Sequence, residues 1–267
     1  MRKDYIMINT GIMKEPNTNY WTSTESRLQY RDLAKEEQQV RNNVFPSFNA
    51  GIIDEPVLIY YEIFDCHSAG YIDDCLYQKG ACEIRSNDVV LDLGANIGVF
   101  SRFAAAKGAK KIYSVEPTNE NFLLLLLNKP EQCEVFKVAI SNTDNQLVKI
   151  AYKADCPGGS SIVKYDDGVL QNVMTMTIDT MINNKLIEQP DFIKMDIEGA
   201  EIFAFEGMSD QFLKNTRCVS MELHIEAIGE TEAQKIYDRM ESLGFKHWTL
   251  HNPDLNNIVH FVNSNLI

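Results

Sequence analysis

Apolar residues recur along this chain with two alternating rhythms, one suited to buried strands and one to amphipathic helices. From residue 87 onward the pattern predicts strand 89–94, helix 98–107, strand 111–116, helix 119–128 and strand 133–140, with a further strand at 147–152. After a polar, glycine-containing stretch at 155–173 it predicts helix 178–186, strand 191–197, helix 199–206, strand 216–223, helix 230–243, strand 245–250 and strand 258–263. Strand and helix in alternation imply a parallel sheet covered on both faces. Only residues 251–257 separate the last two strands, so a hairpin is expected there, with the final strand running antiparallel. The expected fold is therefore α/β and Rossmann-like: a mostly parallel seven-stranded sheet with an antiparallel last strand and helices on both faces.

Residues 1–86 read differently, with a polar start, one predicted helix from Thr24 to Val40 and a short strand within 57–64. They are expected to form an N-terminal accessory region packed on a main domain of residues 87–267. The irregular stretch 155–173, containing Pro157, Gly158 and Gly159, reads either as a functional element beside a ligand site or as a surface loop.

Candidate chemistry begins where the first strand of the main domain ends. Val89 to Leu93 runs into Asp92-x-Gly94-x-Asn96-x-Gly98 and then into a helix. Glycines at such a turn allow a ligand to approach the backbone, and a helix start offers free N–H groups. A dinucleotide site would call for Gly-x-Gly-x-x-Gly, which is absent here. Asp92 instead suits a ligand that carries a positive charge. S-adenosylmethionine has an ammonium, a carboxylate and no phosphate, and is the expected cofactor. The next strand ends in Glu116, 18 residues past Gly98 (116 − 98), close to the ~20 expected of a ribose-binding acid.

A second cluster follows at residues 191–201, where Asp196, Glu198 and Glu201 surround a strand end. Ligands of open α/β sheets bind at that edge. Acids in a first helical turn complement the helix dipole, which accounts for Glu201 but not for Asp196. The next strand end supplies Glu222 and His224, and strand alternation points both to one face. His224 is the leading candidate for general base, because imidazole titrates near neutrality. A divalent metal on Asp196, Glu222 and His224 is a further, less favoured reading, and no metal is expected there.

Composition narrows the partners. A net charge of −13 argues against nucleic acid, and Lys107, Lys110 and Lys111 form the densest basic group, a solvated one. The longest apolar run, Phe122 to Leu127, falls far short of the ~20 residues that span a bilayer and is expected to be a buried helix. Residues 1–20 lack the apolar core of a signal peptide, so a cytoplasmic location is expected. Six cysteines show no Cys-x-x-Cys pair and are expected to be reduced. Cys66, His67, Cys75 and Cys82 fit no structural zinc spacing.

Taken together, the stretches 92–98, Glu116-Pro117, Ala139-Ile140-Ser141, Thr177-Ile178-Asp179, Ile193 to Glu201 and Glu222-Leu223-His224 resemble the FkbM family of S-adenosylmethionine-dependent methyltransferases. The resemblance covers roughly residues 86–226, and Ile-Lys-x-Asp-x-Glu-Gly-x-Glu is its specific element. It implies a class I methyltransferase fold and methylation of a hydroxyl on a sugar, glycan or small natural product. It also implies that Asp92, Gly94, Asn96, Gly98, Glu116, Ala139 and Asp196 bind cofactor, with Ala139 near the adenine. Asp196, Glu198 and His224 would face the transferred methyl. Thr118 stands where the family commonly has an acid and reads as a helix cap. A nicotinamide-dependent oxidoreductase and a non-catalytic cofactor-binding module are the alternatives.

Overall fold

The structure is a computed structural model that describes residues 75–78, 80–152, 169–250 and 257–267. The helix predicted at 24–40, the strand within 57–64, most of the 155–173 stretch and the 251–256 link lie outside the described residues.

The main sheet has seven strands in the order β3-β2-β1-β7-β8-β10-β9. Its centre is β1 (Val89–Leu93), which pairs in parallel with β2 (Lys111–Val115) and β7 (Phe192–Met195). β3 (Cys133–Phe136) extends one side and β8 (Cys218–Leu223) the other, both parallel. β9 (Phe245–Leu250) lies at the far edge, and β10 (Asn257–Asn263) inserts between β8 and β9, antiparallel to both. The connecting helices are α1 (Val99–Ala106), α2 (Asn119–Asn128), α3 (Ile178–Asn183), α4 (Glu201–Glu206), α5 (Asp210–Lys214), α6 (Ile225–Ile228) and α7 (Glu230–Ser242). Among the described residues, no helix is long and apolar enough to cross a membrane.

The predicted strand 133–140 is in fact two elements. It breaks after Phe136, and β4 (Ala139–Ile140) leaves the main sheet to pair with β6 (Val169–Met176), which in turn pairs with β5 (Leu147–Tyr152). β6 was not predicted, and its side chains show why. Its inward positions carry Gln171, Val173 and Thr175, whereas Leu170 and Met174 are exposed, so its hydrophobic alternation is inverted. A comparable surprise is α2, where Leu123, Leu126 and Leu127 are exposed rather than buried.

Strand alternation divides the core between the two sheet faces. On one face Leu91, Leu93, Ile193 and Met195 pack with the inner sides of α4, α5 and α7. On the other, Val90, Phe192, Phe100 and Phe103 pack with Tyr77, Cys82 and Ile84 from the chain before β1. The same second face holds a buried polar row in direct register across five strands: Ser114, Asp92, Lys194, Ser220 and His260. Polar groups in such a place must pair with one another. Ser101 of α1 bonds Asp92 Oδ2 at 2.7 Å and Ser114 at 2.8 Å, and Ser220 meets His260 Nδ1 at 3.0 Å. The four described cysteines, Cys75, Cys82, Cys133 and Cys218, are buried.

Candidate active site

The carboxyl ends of β1, β2, β4 and β7 converge on one cavity that opens to solvent. Its lining includes Gly94, Asn96, Glu116, Asn121, Ala139, Ile150, Asp196 and Glu198.

The loop after β1 forms the first wall. Gly94 has φ +76°, and a Cβ there would lie 1.7 Å from the Asp196 carbonyl oxygen. Only glycine lets the β1 and β7 loops meet backbone to backbone. Asn96 is also left-handed, at φ 49°, a conformation asparagine tolerates well. Gly98, at φ 92°, faces away from the cavity: a Cβ there would meet Leu125 of α2 at 2.9 Å. The missing side chain there lets α2 pack close.

Glu116 closes the second wall. Its Oε2 accepts from the Asn96 backbone N–H at 3.0 Å, and its Oε1 accepts from the Thr118 N–H at 3.0 Å and the Thr118 hydroxyl at 2.5 Å. Thr118 does precede α2, yet its hydroxyl serves Glu116 rather than capping the helix. Burial pushes the Glu116 carboxyl above its usual range, although these donors pull the other way. Nearby, Asn96 Oδ1 is buried with no hydrogen-bond partner among the described residues, which makes it a ready acceptor for a ligand donor. Ala139, Ile140, Val138 and Ile150 form an apolar surface opposite.

Beneath the loop lies Lys194, which the sequence reading did not single out. It is 2% exposed, donates to the Gly94 carbonyl at 2.7 Å and sits 3.6 Å from Asp92 and 3.5 Å from Asp196. Burial alone would lower its pKa, but Asp196 and Asp92 hold it above the ordinary lysine value, so it is charged. Asp92 is fully buried on the far side of this lysine and does not line the cavity. Asp92 stands next to Lys194, and Lys194 holds the Gly94 carbonyl.

The third wall is acidic. Past β7 the chain turns through left-handed Glu198 (φ 54°) and Gly199 (φ 94°), and α4 begins at Glu201. Strain of this kind in a non-glycine residue is held only where the surroundings fix it. Asp196 and Glu198 line the cavity, and His224, next after β8, comes within 3.4 Å of Glu198 and 3.8 Å of Glu222 through Nε2. Its Nδ1 is bound by Glu201 at 2.8 Å. Glu201 is fully buried and also accepts from the Gly199 N–H at 3.1 Å, so it is a partner to His224 rather than merely a dipole complement to α4.

The surroundings of His224 favour its protonated form. Burial favours the neutral ring, but the Glu201 hydrogen bond and the charges of Glu201, Glu198 and Asp196 prevail and lift its pKa to about 10. At neutral pH it is an imidazolium that orders the carboxylates. Another unforeseen residue joins them: Tyr77 donates to Asp196 Oδ2 at 3.1 Å and Glu222 Oε2 at 2.9 Å, and its ring lies 5.3 Å from the Lys194 ammonium. It reaches this position from 119 residues away, a link that strand periodicity could not reveal.

Residues 92–247, more than half of the chain, match the methyltransferase FkbM domain. The chain belongs to the FkbM methyltransferase family. Among relatives of this family member, the hexuronic acid methyltransferase AglP of Haloferax volcanii is 22% identical over 145 residues, covering 53% of this chain and 58% of AglP. The AMB antimetabolite synthetase AmbE of Pseudomonas aeruginosa is 24% identical over 237 residues, covering 73% of this chain but 11% of AmbE. The crystal structure of methyltransferase FkbM from Methylobacillus flagellatus KT shares the fold, with a TM-score of 0.50 and 15% identity, over 86% of this chain and 60% of that one. The chain thus spans less than two thirds of the length of each of these three proteins.

Of the residues singled out from the family's motifs, the cavity brings together Gly94, Asn96, Glu116, Ala139, Asp196 and Glu198, with His224 immediately behind Glu198. Asp92 and Gly98 support that wall from outside the cavity.

Proposed function

We propose that this chain binds S-adenosylmethionine in the cavity and transfers its methyl group to a hydroxyl oxygen of a sugar or similar small molecule. One observation carries the reading: a single sheet edge presents unsatisfied or acidic acceptors at one end, Asn96 Oδ1 and Glu116, and a denser acidic group at the other, Asp196 and Glu198. The residues suit such a ligand. Glu116 accepts from ribose hydroxyls, Asn96 Oδ1 from a further donor, and Ala139 with Ile150 contacts the base. Asp196 and Glu198 face positive charge.

When bound, S-adenosylmethionine supplies an electrophilic methyl carbon for in-line displacement. The chain's part is positioning and proton removal. Lys194 fixes the loop through the Gly94 carbonyl, and Tyr77 fixes Asp196 and Glu222 by donating to both. With His224 already protonated, the acceptor proton goes to a carboxylate, Asp196 or Glu198. The acceptor hydroxyl of a sugar is supported by the likeness to AglP.

The test is incubation of the full chain with methyl-labelled S-adenosylmethionine and a panel of neutral sugars, uronic acids and small polyols. Label in an O-methyl product, located by NMR, is the expected result. Label on nitrogen or carbon, or none on any panel member, overturns the assignment.

A further inference from the structure

Two sheets contribute to the cofactor end of the cavity. Glu116 follows β2 of the main sheet, and Asn121, in the first turn of α2, lines the cavity beside it. Ala139 and Ile150 line it from β4 and β5 of the three-stranded sheet. Side chains that reach from one sheet's elements to the other's therefore help to set the gap between them. Gln171 of β6 is such a side chain. It is 7% exposed, and its Oε1 accepts from the Asn119 N–H, the first of α2, at 2.8 Å. Its Nε2 donates to the Glu120 carboxylate of the same turn. Gln171 stands directly opposite Ile150 in the β5–β6 register, and cross-strand partners of this kind share a face. Ile150 lines the cavity while its neighbour holds the helix that follows Glu116.

The start of α2 shows why a strand residue takes this task. The unpaired N–H groups of a helix start are ordinarily met by the side chain of the residue before it. Thr118 occupies that place, yet its hydroxyl is turned to Glu116 and makes no bond to the helix. Gln171 supplies an acceptor in its stead. Thr118 holding Glu116 and Gln171 holding α2 are two halves of one arrangement.

We infer that Gln171 is a positioning residue for the cofactor: by tying β6 to the first turn of α2, it sets the gap between Glu116 and the Ala139–Ile150 surface in which the flat base of the ligand lies. The inference rests on the proposed binding of S-adenosylmethionine in this cavity. Gln171 itself stands outside the cavity lining, so it acts through the two walls rather than on the ligand. A gap held at fixed width spares the ordering that binding a rigid ring would otherwise require, and releasing the tie weakens the grip on the adenosine half.

Calorimetric titration of the full chain with S-adenosylhomocysteine and with adenosine tests this. Gln171→Met keeps the length of the side chain and removes both bonds. Affinity for each ligand should fall by about tenfold with one site per chain retained, whereas loss of the fold would lower the number of sites instead. Asn119→Pro breaks the same tie from the helix side. Proline suits the first helical position, and Thr118 before it is already extended, at φ −79° and ψ 145°, so α2 itself is kept. This variant should weaken both ligands to a similar degree, and it decides alone if Gln171→Met does not fold by circular dichroism. The pair Glu120→Gln with Gln171→Glu exchanges donor and acceptor across the contact and should bind within about twofold of the wild type. Unchanged affinity in either single variant, or a loss that the exchanged pair does not restore, overturns the inference and leaves the cofactor reading in place. A wild-type chain that binds neither ligand overturns both.

Discussion

The two ends of the cavity are built by opposite means. The Gly94 to Glu116 end is made largely of backbone: a positive φ at Gly94, a carbonyl held by Lys194, and a carboxylate pinned by three local donors. The Asp196 to His224 end is made of side chains, with acids ordered by an imidazolium and a distant tyrosine. A backbone-built wall tolerates little change and suits a ligand that does not vary. A wall of ionisable side chains can be re-tuned by single substitutions, as a varying acceptor requires.

If this contrast holds, the largest effects should come from the support under the first wall. Lys194→Met leaves Asp92 fully buried without its cation, and losing one partner of a buried pair costs about 3–5 kcal/mol. A melting temperature lower by roughly 10 °C or more is expected; an unchanged melt would mean that Lys194 does not hold the loop. Gly94→Ala comes next. The left-handed backbone alone costs roughly 1–2 kcal/mol, and the clash with the Asp196 carbonyl forces the β1 and β7 loops apart. S-adenosylhomocysteine affinity should fall by at least about a hundredfold, as read by calorimetry.

At the second wall the effects should be kinetic. Tyr77→Phe keeps the ring over Lys194 and removes the donor shared by Asp196 and Glu222. Turnover should drop by about tenfold, with cofactor affinity within about twofold. A loss of affinity equal to the loss of turnover would erase the proposed division between the ends. The smallest effect is expected where the β4 to β5 turn meets the start of α3, with Asp144 accepting from the Thr177 N–H and the Thr180 hydroxyl, both at 2.7 Å. These bonds hold its carboxyl below the usual range. Its stabilisation should be complete above about pH 4 and fade as pH falls through the lower, folded-state value. Melts of the wild type and Asp144→Asn should therefore converge in acid, and a constant gap from pH 6 to pH 3 would contradict this.

The same contrast explains what the sequence could disclose. The glycine loop, Glu116 and the strand ends were readable because each is local, a few residues at fixed spacing along one β-α unit. Gly94 and Gly98 look alike in sequence, and only packing separates the one against Asp196 from the one against Leu125. Asp92 looks like a ligand-facing acid until register places Lys194 beside it. His224 has the right position for a base, but its proton affinity is set by Glu201, which a first-turn acid does not advertise. Tyr77 and the inverted strand β6 depend on long-range contacts that no periodicity carries.

The central claim is that the wall from Gly94 to Glu116 binds S-adenosylmethionine. Calorimetric titration of the full chain with S-adenosylhomocysteine tests it most directly, with NADH as comparison and Glu116→Ala as the variant. The account expects one saturable site for S-adenosylhomocysteine, no saturable heat for NADH, and at least about tenfold weaker binding in Glu116→Ala. No binding of S-adenosylhomocysteine, or binding that Glu116→Ala leaves unchanged, would contradict it.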